Sequence, residues 1–241
     1  MVRRVVGSTA LLVAAAVSTA SCGGSPTTAT GSAPTLSPSP PPRLPPAPRS
    51  ATPRNEPVAE PPPRDSVPDG RPRRARLSIP ALGLRDVVVV PYRGHTDDAP
   101  GTRIQDHGMA ASPYGPRGGV GPGGLGNYQI TGHRTSSTHP FAALPSLRVG
   151  ARAVVETGDV RYVYEIRRTR LTSFRSARSL AEQRAAVPGL PGALATRAFL
   201  TLSTCATQED HAAGNYWSDE LHNPEHRIDK IGVLVRTVVA E

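Results

Sequence analysis

Apolar residues recur in short segments from residue 75 onward, and their spacing predicts β-strands. The pattern alternates over residues 75–79 and again over 160–166, within a predicted strand at 160–171, so that every second side chain of these stretches is apolar. Residues 87–90 are an unbroken run of valine, and β-branched side chains favour extended backbone. Similar short apolar segments predict four further strands, at residues 127–131, 152–156, 198–202 and 231–239.

The segments between these strands predict loops and only short helices. Residues 94–126 are rich in Gly and Pro and show little periodicity, which predicts loops with one short helix. Residues 141–147 predict another short helix, and residues 157–159 predict a turn between two strands. Many short strands with few helices indicate an all-β sandwich or barrel. The folded part, residues 75–241, is long enough for one well-buried core.

The first 22 residues have the pattern of an export signal. Arg3 and Arg4 precede an apolar stretch at residues 5–20, whose core is shorter than the roughly 20 residues that a membrane span requires. Small residues lead into Cys22, as in the lipoprotein cleavage box, although Thr19 departs from the aliphatic residue usual there. We therefore predict a lipid on Cys22, with an uncleaved signal anchor or a plain cleaved signal as alternatives. All three place the domain outside the cytoplasm, and we expect membrane anchoring through the lipid or the N-terminal anchor.

Residues 23–74 predict a disordered, Pro-rich linker. Pro, Ser, Thr, Ala and Arg dominate this segment, so it cannot bury enough apolar surface to offset its ordering entropy. Polyproline-like stretches extend about 3 Å per residue, so the linker would carry the domain well away from a membrane. The predicted organisation is thus a signal or anchor at 1–22, a linker at 23–74 and a domain at 75–241.

The basic charge of the chain does not by itself identify a partner. The formal net charge is +9, and Lys230 is the only lysine among the 28 basic residues. This Arg bias, with abundant Ala, Gly and Pro, is typical of a high-GC genome. Nucleic-acid binding would favour runs of basic residues, and only the interrupted segment 71–76 approaches one. An anionic cell-wall or membrane surface explains the charge equally well, and we expect no nucleic-acid partner.

The candidate chemistry lies at two predicted strand ends. Cys205 follows the strand at 198–202, and His133 follows the strand at 127–131. A thiol nucleophile needs a neighbour that exchanges protons with it or holds its thiolate. Taken alone, Cys205 would be read as a buried core residue and His133 as a surface or turn residue. A disulfide to Cys22 would have to join the leader to the end of the fold, so each cysteine is a candidate for separate chemistry.

The residues around both positions resemble the sortase family of cysteine transpeptidases. Residues 201–205, Thr-Leu-Ser-Thr-Cys, are similar to the nucleophile motif Thr-Leu-x-Thr-Cys, and residues 132–135 are similar to the segment around the catalytic histidine. The resemblance covers roughly residues 76–237. Its class E character, as in actinobacterial sortases, is carried by residues 77–83, 140–150 and 154–157.

The resemblance implies both a fold and a catalytic set. The fold would be an all-β closed barrel of about eight strands, with short helices and long loops. Cys205 would be the nucleophile, His133 the acid/base and Arg227 the cation near the start of the last strand. Attack on an amide carbonyl develops a negative oxygen, which a fixed guanidinium stabilises.

Further site residues are implied around the nucleophile. The backbone N–H of Ala206 and the motif residues Thr201 and Thr204 would bind the oxyanion or the substrate. The connection at 206–226 is longer than sortases usually have, and we expect it to line the substrate groove.

The implied reaction is the transfer of an acyl group between two amines. The thiolate would attack the Thr carbonyl of a Leu-Pro-x-Thr-Gly-like sorting signal, or of the Leu-Ala-x-Thr-Gly signal that class E members favour. An amine of a peptidoglycan precursor or of a pilin would then take the acyl group. The implied partners are therefore surface proteins or pilins that carry the signal, together with the amine acceptor. No cofactor is expected.

A metal site would be a different use of the residues after Cys205. His222 and His226 lie four residues apart, after Asp210 and His211, and on a helix the two histidines would share one face. The Asn-Pro pair at 223–224 disfavours a regular helix between them, and we expect no metal.

Two further protein classes compete with a sortase, a non-catalytic wall-binding lipoprotein with a β-barrel domain and a papain-like protease. The lipoprotein would need no reactive thiol, so iodoacetamide labelling of Cys205 separates it from an enzyme. Papain-like proteases place Cys before His in the chain, whereas here His133 comes first. The Gly-rich residues 118–126 lack the Lys-Ser/Thr ending of a phosphate-binding loop.

Overall fold

Eight strands and three α-helices make up most of the regular structure in the computed structural model, which describes residues 69–239. The predicted export signal, Cys22 and the predicted linker as far as residue 68 lie outside the described residues. Within residues 69–239, none of the helices has the length and apolar character needed to cross a membrane. The elements are β1 (Ala75–Ile79), β2 (Leu84–Arg93), α1 (Ala99–Asp106), β3 (Ala110–Tyr114), β4 (Gly126–Thr131), β5 (Arg152–Thr157), β6 (Val160–Ser173), α2 (Ala177–Arg184), β7 (Ala198–Cys205), α3 (Thr207–Ala212) and β8 (His226–Val239).

The strands close into a barrel in the order β1-β2-β3-β4-β7-β8-β6-β5. Closure leaves the sheet without a free edge, which removes a surface prone to aggregation. Most neighbouring strands are antiparallel, but β4 runs parallel to β7, so both of these strands end at the same rim of the barrel. The predicted all-β closed barrel of about eight strands is confirmed.

The barrel interior is filled by alternate residues of each strand, as the period of two requires. Tyr128 and Ile130 of β4 and Leu200 and Leu202 of β7 all belong to this core. Each buried aliphatic side chain stabilises the fold by about 1.5–3 kcal/mol. Because side chains alternate along a strand, the residues between these core positions face outward.

The outward faces of β4 and β7 are buried as well, because α2 covers them with polar contacts. Asn127 donates to the carbonyl oxygens of Gln183 at 2.9 Å and Ala185 at 3.1 Å. Thr201 donates to the side chain of Asn127 at 2.8 Å. Cys205 lies on the same face of β7 as Thr201, and it is therefore the last residue of this buried polar layer.

A buried carboxyl group completes the layer on β8. Asp229 accepts hydrogen bonds from Thr172 at 2.6 Å and from the Gln183 amide at 3.0 Å. Burial, which outweighs these hydrogen bonds, raises the pKa of Asp229 above its usual range. The same amide donates to the hydroxyl of Ser203 at 3.3 Å, so Gln183 links α2 to both β7 and β8.

Some elements differ from the sequence prediction. The segment predicted to be loops with one short helix holds α1, as expected, and also β3, which pairs in parallel with β2. The short helix predicted at 141–147 is reduced to a 3-10 turn at Leu144–Ser146. The last strand begins at His226 instead of residue 231, because its polar first residues are paired with buried partners in place of apolar packing.

Candidate active site

The register of β7 and β8 places Cys205 directly opposite Arg227. The sequence prediction had placed this arginine before the strand, whereas it is the second residue of β8. Its Cα position is therefore held by the sheet, not by a loop. Because residues directly opposite each other on paired strands have neighbouring side chains on one face, Cys205 and Arg227 are neighbours.

His133 reaches the same place from β4. The N–H of Gly132 donates to the carbonyl of Ser203 at 3.2 Å, and the hydroxyl of Thr204 donates to the carbonyl of Gly132 at 2.8 Å. The next residue, Arg134, donates to the carbonyl of Cys205 at 3.2 Å. Because both neighbours of His133 bond to the last residues of β7, the histidine lies beside Cys205.

Gly132 is required by close packing at this turn. A Cβ atom there would lie 2.8 Å from the ring of Phe141. Phe141 belongs to the barrel core, and its N–H donates to the carbonyl of His133 at 3.1 Å. A larger residue would push this ring and the histidine segment apart.

The imidazole of His133 is held by a carboxylate from α1. Its Nε2 lies 2.9 Å from Oδ1 of Asp106, the last residue of that helix. Asp98 caps the start of α1 by accepting the N–H of Gly101 at 2.9 Å. Gln105 donates to Thr131 at 3.2 Å and holds the helix on β4.

The guanidinium of Arg227 is buried and only partly paired, with 1% of the side chain exposed. Its Nε donates to Oδ2 of Asp97 at 3.1 Å, and its Nη1 donates to the carbonyl of Pro224 at 3.1 Å. Its Cζ lies 4.3 Å from the ring centroid of Phe174. Nη2 has no hydrogen-bond partner among residues 69–239. Arg227 therefore offers one unused donor inside the site.

The charge of Arg227 is maintained despite its burial. Burial lowers its pKa, but the neighbouring Asp97 carboxylate and, when ionised, the Cys205 sulfur have the larger combined effect, and the pKa is raised. The cation is thus permanent at any physiological pH.

Asp97 enters the site from the loop between β2 and α1. Its φ of +58° lies in the left-handed region, which costs a residue other than glycine about 1 kcal/mol or more. The preceding Thr96 donates to Gln183 at 2.9 Å and fastens the loop to α2. These contacts hold the Asp97 carboxylate against Arg227.

The thiol of Cys205 is surrounded by charges of both signs. Burial raises its pKa most, Arg227 and Arg134 lower it, and Asp97 and Asp219 raise it. The net effect is a pKa above the ordinary value. The thiol is therefore protonated at neutral pH in this arrangement.

Replacing Asp97 by asparagine is expected to make Cys205 more reactive. The substitution removes a negative charge that disfavours the thiolate, so the thiol pKa falls and more thiolate is present at pH 7. The rate of iodoacetamide alkylation, followed from pH 6 to pH 10, should rise at neutral pH, with its midpoint at a lower pH. Asp159→Asn, a change in the β5–β6 turn, is the control. An unchanged or higher midpoint for Asp97→Asn would contradict this electrostatic account.

The other residues implied around the nucleophile are occupied by contacts within the protein. Thr201 and Thr204 are buried and bond to Asn127 and to the carbonyl of Gly132. The N–H of Ala206 donates to the carbonyl of His226 at 3.0 Å. It is therefore not free to bind an oxyanion, which corrects that expectation.

The long connection at 206–226 folds back onto β8. Asp210 accepts the backbone N–H of His226 at 3.0 Å and lies 2.6 Å from Nδ1 of the same residue. His226, a candidate metal ligand by its spacing from His222, is thus paired with a carboxylate. Within the described part of the chain, no group of three or more His, Cys, Asp or Glu residues is arranged to hold a metal ion.

Two residues near the site gave no sequence signal. Asp97 and Asp106 lie in the Gly/Pro-rich segment without periodicity. Arg134 belongs to the segment 132–135 that carries the resemblance, but its contacts with α3 were not expected from it. A carboxylate or guanidinium that pairs across 27 to 130 positions leaves no local pattern.

A family model described as the sortase domain matches residues 77–217, more than half of the chain. This range contains His133 and Cys205 and ends before Arg227. No curated protein sequence matches the chain.

Solved sortase structures are similar to this chain at low sequence identity. The SrtA sortase from Actinomyces oris is 19% identical, with 70% of this chain and 84% of that chain covered and a TM-score of 0.53. Sortase E from Streptomyces avermitilis is 23% identical, with 70% and 91% covered and a TM-score of 0.50. Sortase E1 from Streptomyces coelicolor, with a tripeptide in its active site, is 25% identical, with 72% and 93% covered and a TM-score of 0.49. At these identities, the first two show likeness of fold alone.

Proposed function

The chain belongs to the sortase family, and from this premise we propose that it is a cysteine transpeptidase that cleaves a Leu-Pro/Ala-x-Thr-Gly-like sorting signal between Thr and Gly. One observation carries the proposal. The thiol of Cys205 lies opposite a buried guanidinium, Arg227, that has an unpaired donor, and His133 follows the adjacent parallel strand.

In the first step Cys205 attacks the Thr carbonyl carbon of the signal. Because the thiol rests in its protonated form, His133 takes its proton as the sulfur–carbon bond forms. Asp106 keeps the imidazole oriented during this transfer. The carbonyl oxygen becomes an oxyanion, and Nη2 of Arg227 donates to it. The carbon–nitrogen bond then breaks, His133 protonates the leaving Gly amine, and a thioester remains on Cys205.

In the second step an amine attacks the thioester. His133 takes a proton from the incoming amine, the new amide bond forms, and the sulfur leaves and is protonated again. Water in place of the amine would give hydrolysis instead of transfer. An amine of a peptidoglycan precursor or of a pilin fits the second substrate.

The class E likeness at residues 77–83, 140–150 and 154–157 supports a preference for Ala at the second signal position. We place the domain outside the cytoplasm, anchored to the cell membrane through the segment ending at Cys22. The long linker, residues 23–74, would let the domain reach proteins that emerge at the cell surface.

Mass spectrometry of a peptide mixture tests the reaction. The chain from residue 23 onward, incubated with a Leu-Ala-x-Thr-Gly peptide and Gly-Gly, should give a product in which Gly-Gly replaces everything after Thr. An adduct of the Thr-ending fragment on Cys205 should accumulate when Gly-Gly is omitted. A peptide with Thr and Gly exchanged is the control. Intact peptide alone, across Leu-Ala and Leu-Pro variants, would refute the proposed activity.

A further inference from the structure

Arg134 connects three parts of the site through one buried guanidinium, with 7% of its side chain exposed. Nη1 donates to the carbonyl of Cys205 at 3.2 Å, and Nη2 donates to Oε1 of Gln208 at 2.8 Å. Both nitrogens also bond to the carboxylate of Glu209, with Nη2 at 3.0 Å from Oε1. A side chain directly after His133 is thereby fixed to the end of β7 and to the first turn of α3.

The sheet itself does not hold His133 against Cys205. The parallel ladder of β4 and β7 ends at the pair Thr131 and Ser203, and only the two bonds of Gly132 continue it. The two reacting residues lie beyond the last pair of this ladder, with Cys205 paired only to β8 and His133 after the end of β4. An additional contact is therefore needed to keep them together.

A guanidinium paired with a carboxylate through two bonds is well suited to that task. The planar fork fixes orientation as well as distance, and it loses less freedom on pairing than an ammonium group does. Because Glu209 partly neutralises it, Arg134 acts mainly through geometry. The charges facing the thiol from other elements are Arg227 on β8, Asp97 before α1 and Asp219 before β8.

We propose that Arg134 is a positioning residue that sets the distance between the imidazole of His133 and the thiol of Cys205. The expected effect of Arg134 on turnover rests on the proposed transpeptidase function. Its expected effect on the reactivity of the Cys205 thiol does not. The positioning role and the transpeptidase function can therefore fail separately.

Alkylation of Cys205 tests the geometry in the full chain. Trypsin releases residues 198–227 as one peptide, which contains Cys205 and no other cysteine, so its alkylation rate is read by mass spectrometry. Arg134→Lys keeps the charge but loses the fork, so alkylation at pH 7 should slow several-fold as the imidazole moves away from the thiol. In a His133→Ala background the same substitution should have no further effect.

Turnover gives the second measurement. Arg134→Lys should lower kcat roughly tenfold or more and leave KM unchanged, because misplacement by about 1 Å affects the reacting groups and not substrate binding. Glu209→Gln should lower kcat in the same direction, and the double variant should lose no more than Arg134→Lys alone. Arg161→Lys, an exposed arginine paired with Glu156, is the matched control and should change nothing.

The outcomes separate the two proposals. Equal slowing of alkylation with and without His133, or no slowing in either background, would overturn the positioning role. Normal kcat in Arg134→Lys would do so as well. Wild-type protein that never turns over peptide would refute the transpeptidase function, and the alkylation comparison would still decide the role of Arg134.

Discussion

Alanine in place of Cys205 is expected to lower peptide transfer roughly a thousandfold or more, because the acyl group then has no sulfur to bind. The thioester adduct should disappear from the mass spectrum at the same time. The barrel should remain folded, since Cys205 is the last residue of β7 and only its sulfur atom is lost. The thermal unfolding midpoint is therefore expected to stay within a few degrees of the wild type.

The second cysteine provides the matched control for this prediction. Cys22→Ser changes the predicted lipid site and leaves the described domain untouched, so it should transfer peptide at the wild-type rate in detergent solution. Product formation by Cys205→Ala would exclude the thiol as nucleophile. If Cys205→Ala lost both product formation and the thermal unfolding transition, a folding defect would explain the result. Cys205→Ser would then separate loss of the thiol from loss of the fold.

Substituting Arg227 by glutamine is expected to have two separate effects. It should reduce kcat roughly 10²- to 10³-fold, as removal of an oxyanion donor does elsewhere. It should also destabilise the barrel by about 3–5 kcal/mol, because the buried carboxylate of Asp97 loses its partner. Steady-state kinetics and urea unfolding measure the two effects independently.

Adding Asp97→Asn to this variant separates stability from catalysis. The double variant removes both charges of the buried pair, so most of the lost stability should return. Turnover should stay low, because the donor to the oxyanion is still missing. Recovery of kcat along with stability would mean that Arg227 serves only the fold.

The pairing of Arg227 with Asp97 is compatible with a catalytic cation. Asp97 uses Nε, and the carbonyl of Pro224 uses Nη1, so both contacts orient the guanidinium and leave Nη2 available. A preoriented donor needs no reorganisation when negative charge develops on the substrate. The contact thus orients the guanidinium, and the Asp97 carboxylate adds to the effect of burial in raising the pKa of the Cys205 thiol.

The strands with a simple burial pattern were predictable from the sequence. β6 alternates between buried and half-buried positions over residues 162–166, and β2 contains four valines in a row. Such patterns report how each strand faces the core, which is a local property. The closed barrel followed from these strands together with the resemblance of the nucleophile motif.

Elements that pack through polar contacts were not predictable in the same way. α2 is held on the sheet by Gln183 and the Asn127 amide, so its sequence carries no apolar stripe. β3 lies between two neighbours with a short run of small residues and a proline. The start of β8 pairs an arginine with a distant aspartate, which hydrophobic periodicity cannot report.

The order of residues was enough to establish the all-β class and to point to one thiol and one imidazole, because strand propensity and a contiguous motif are written in neighbouring residues. Only the folded barrel determines which other groups lie next to this thiol and this imidazole. Its closure brings Asp97 to Arg227 and Asp106 to His133, and it directs the N–H of Ala206 to the carbonyl of His226 instead of to the substrate. Contacts of this kind depend on how separate segments are packed in space, and no local pattern along the chain records that packing.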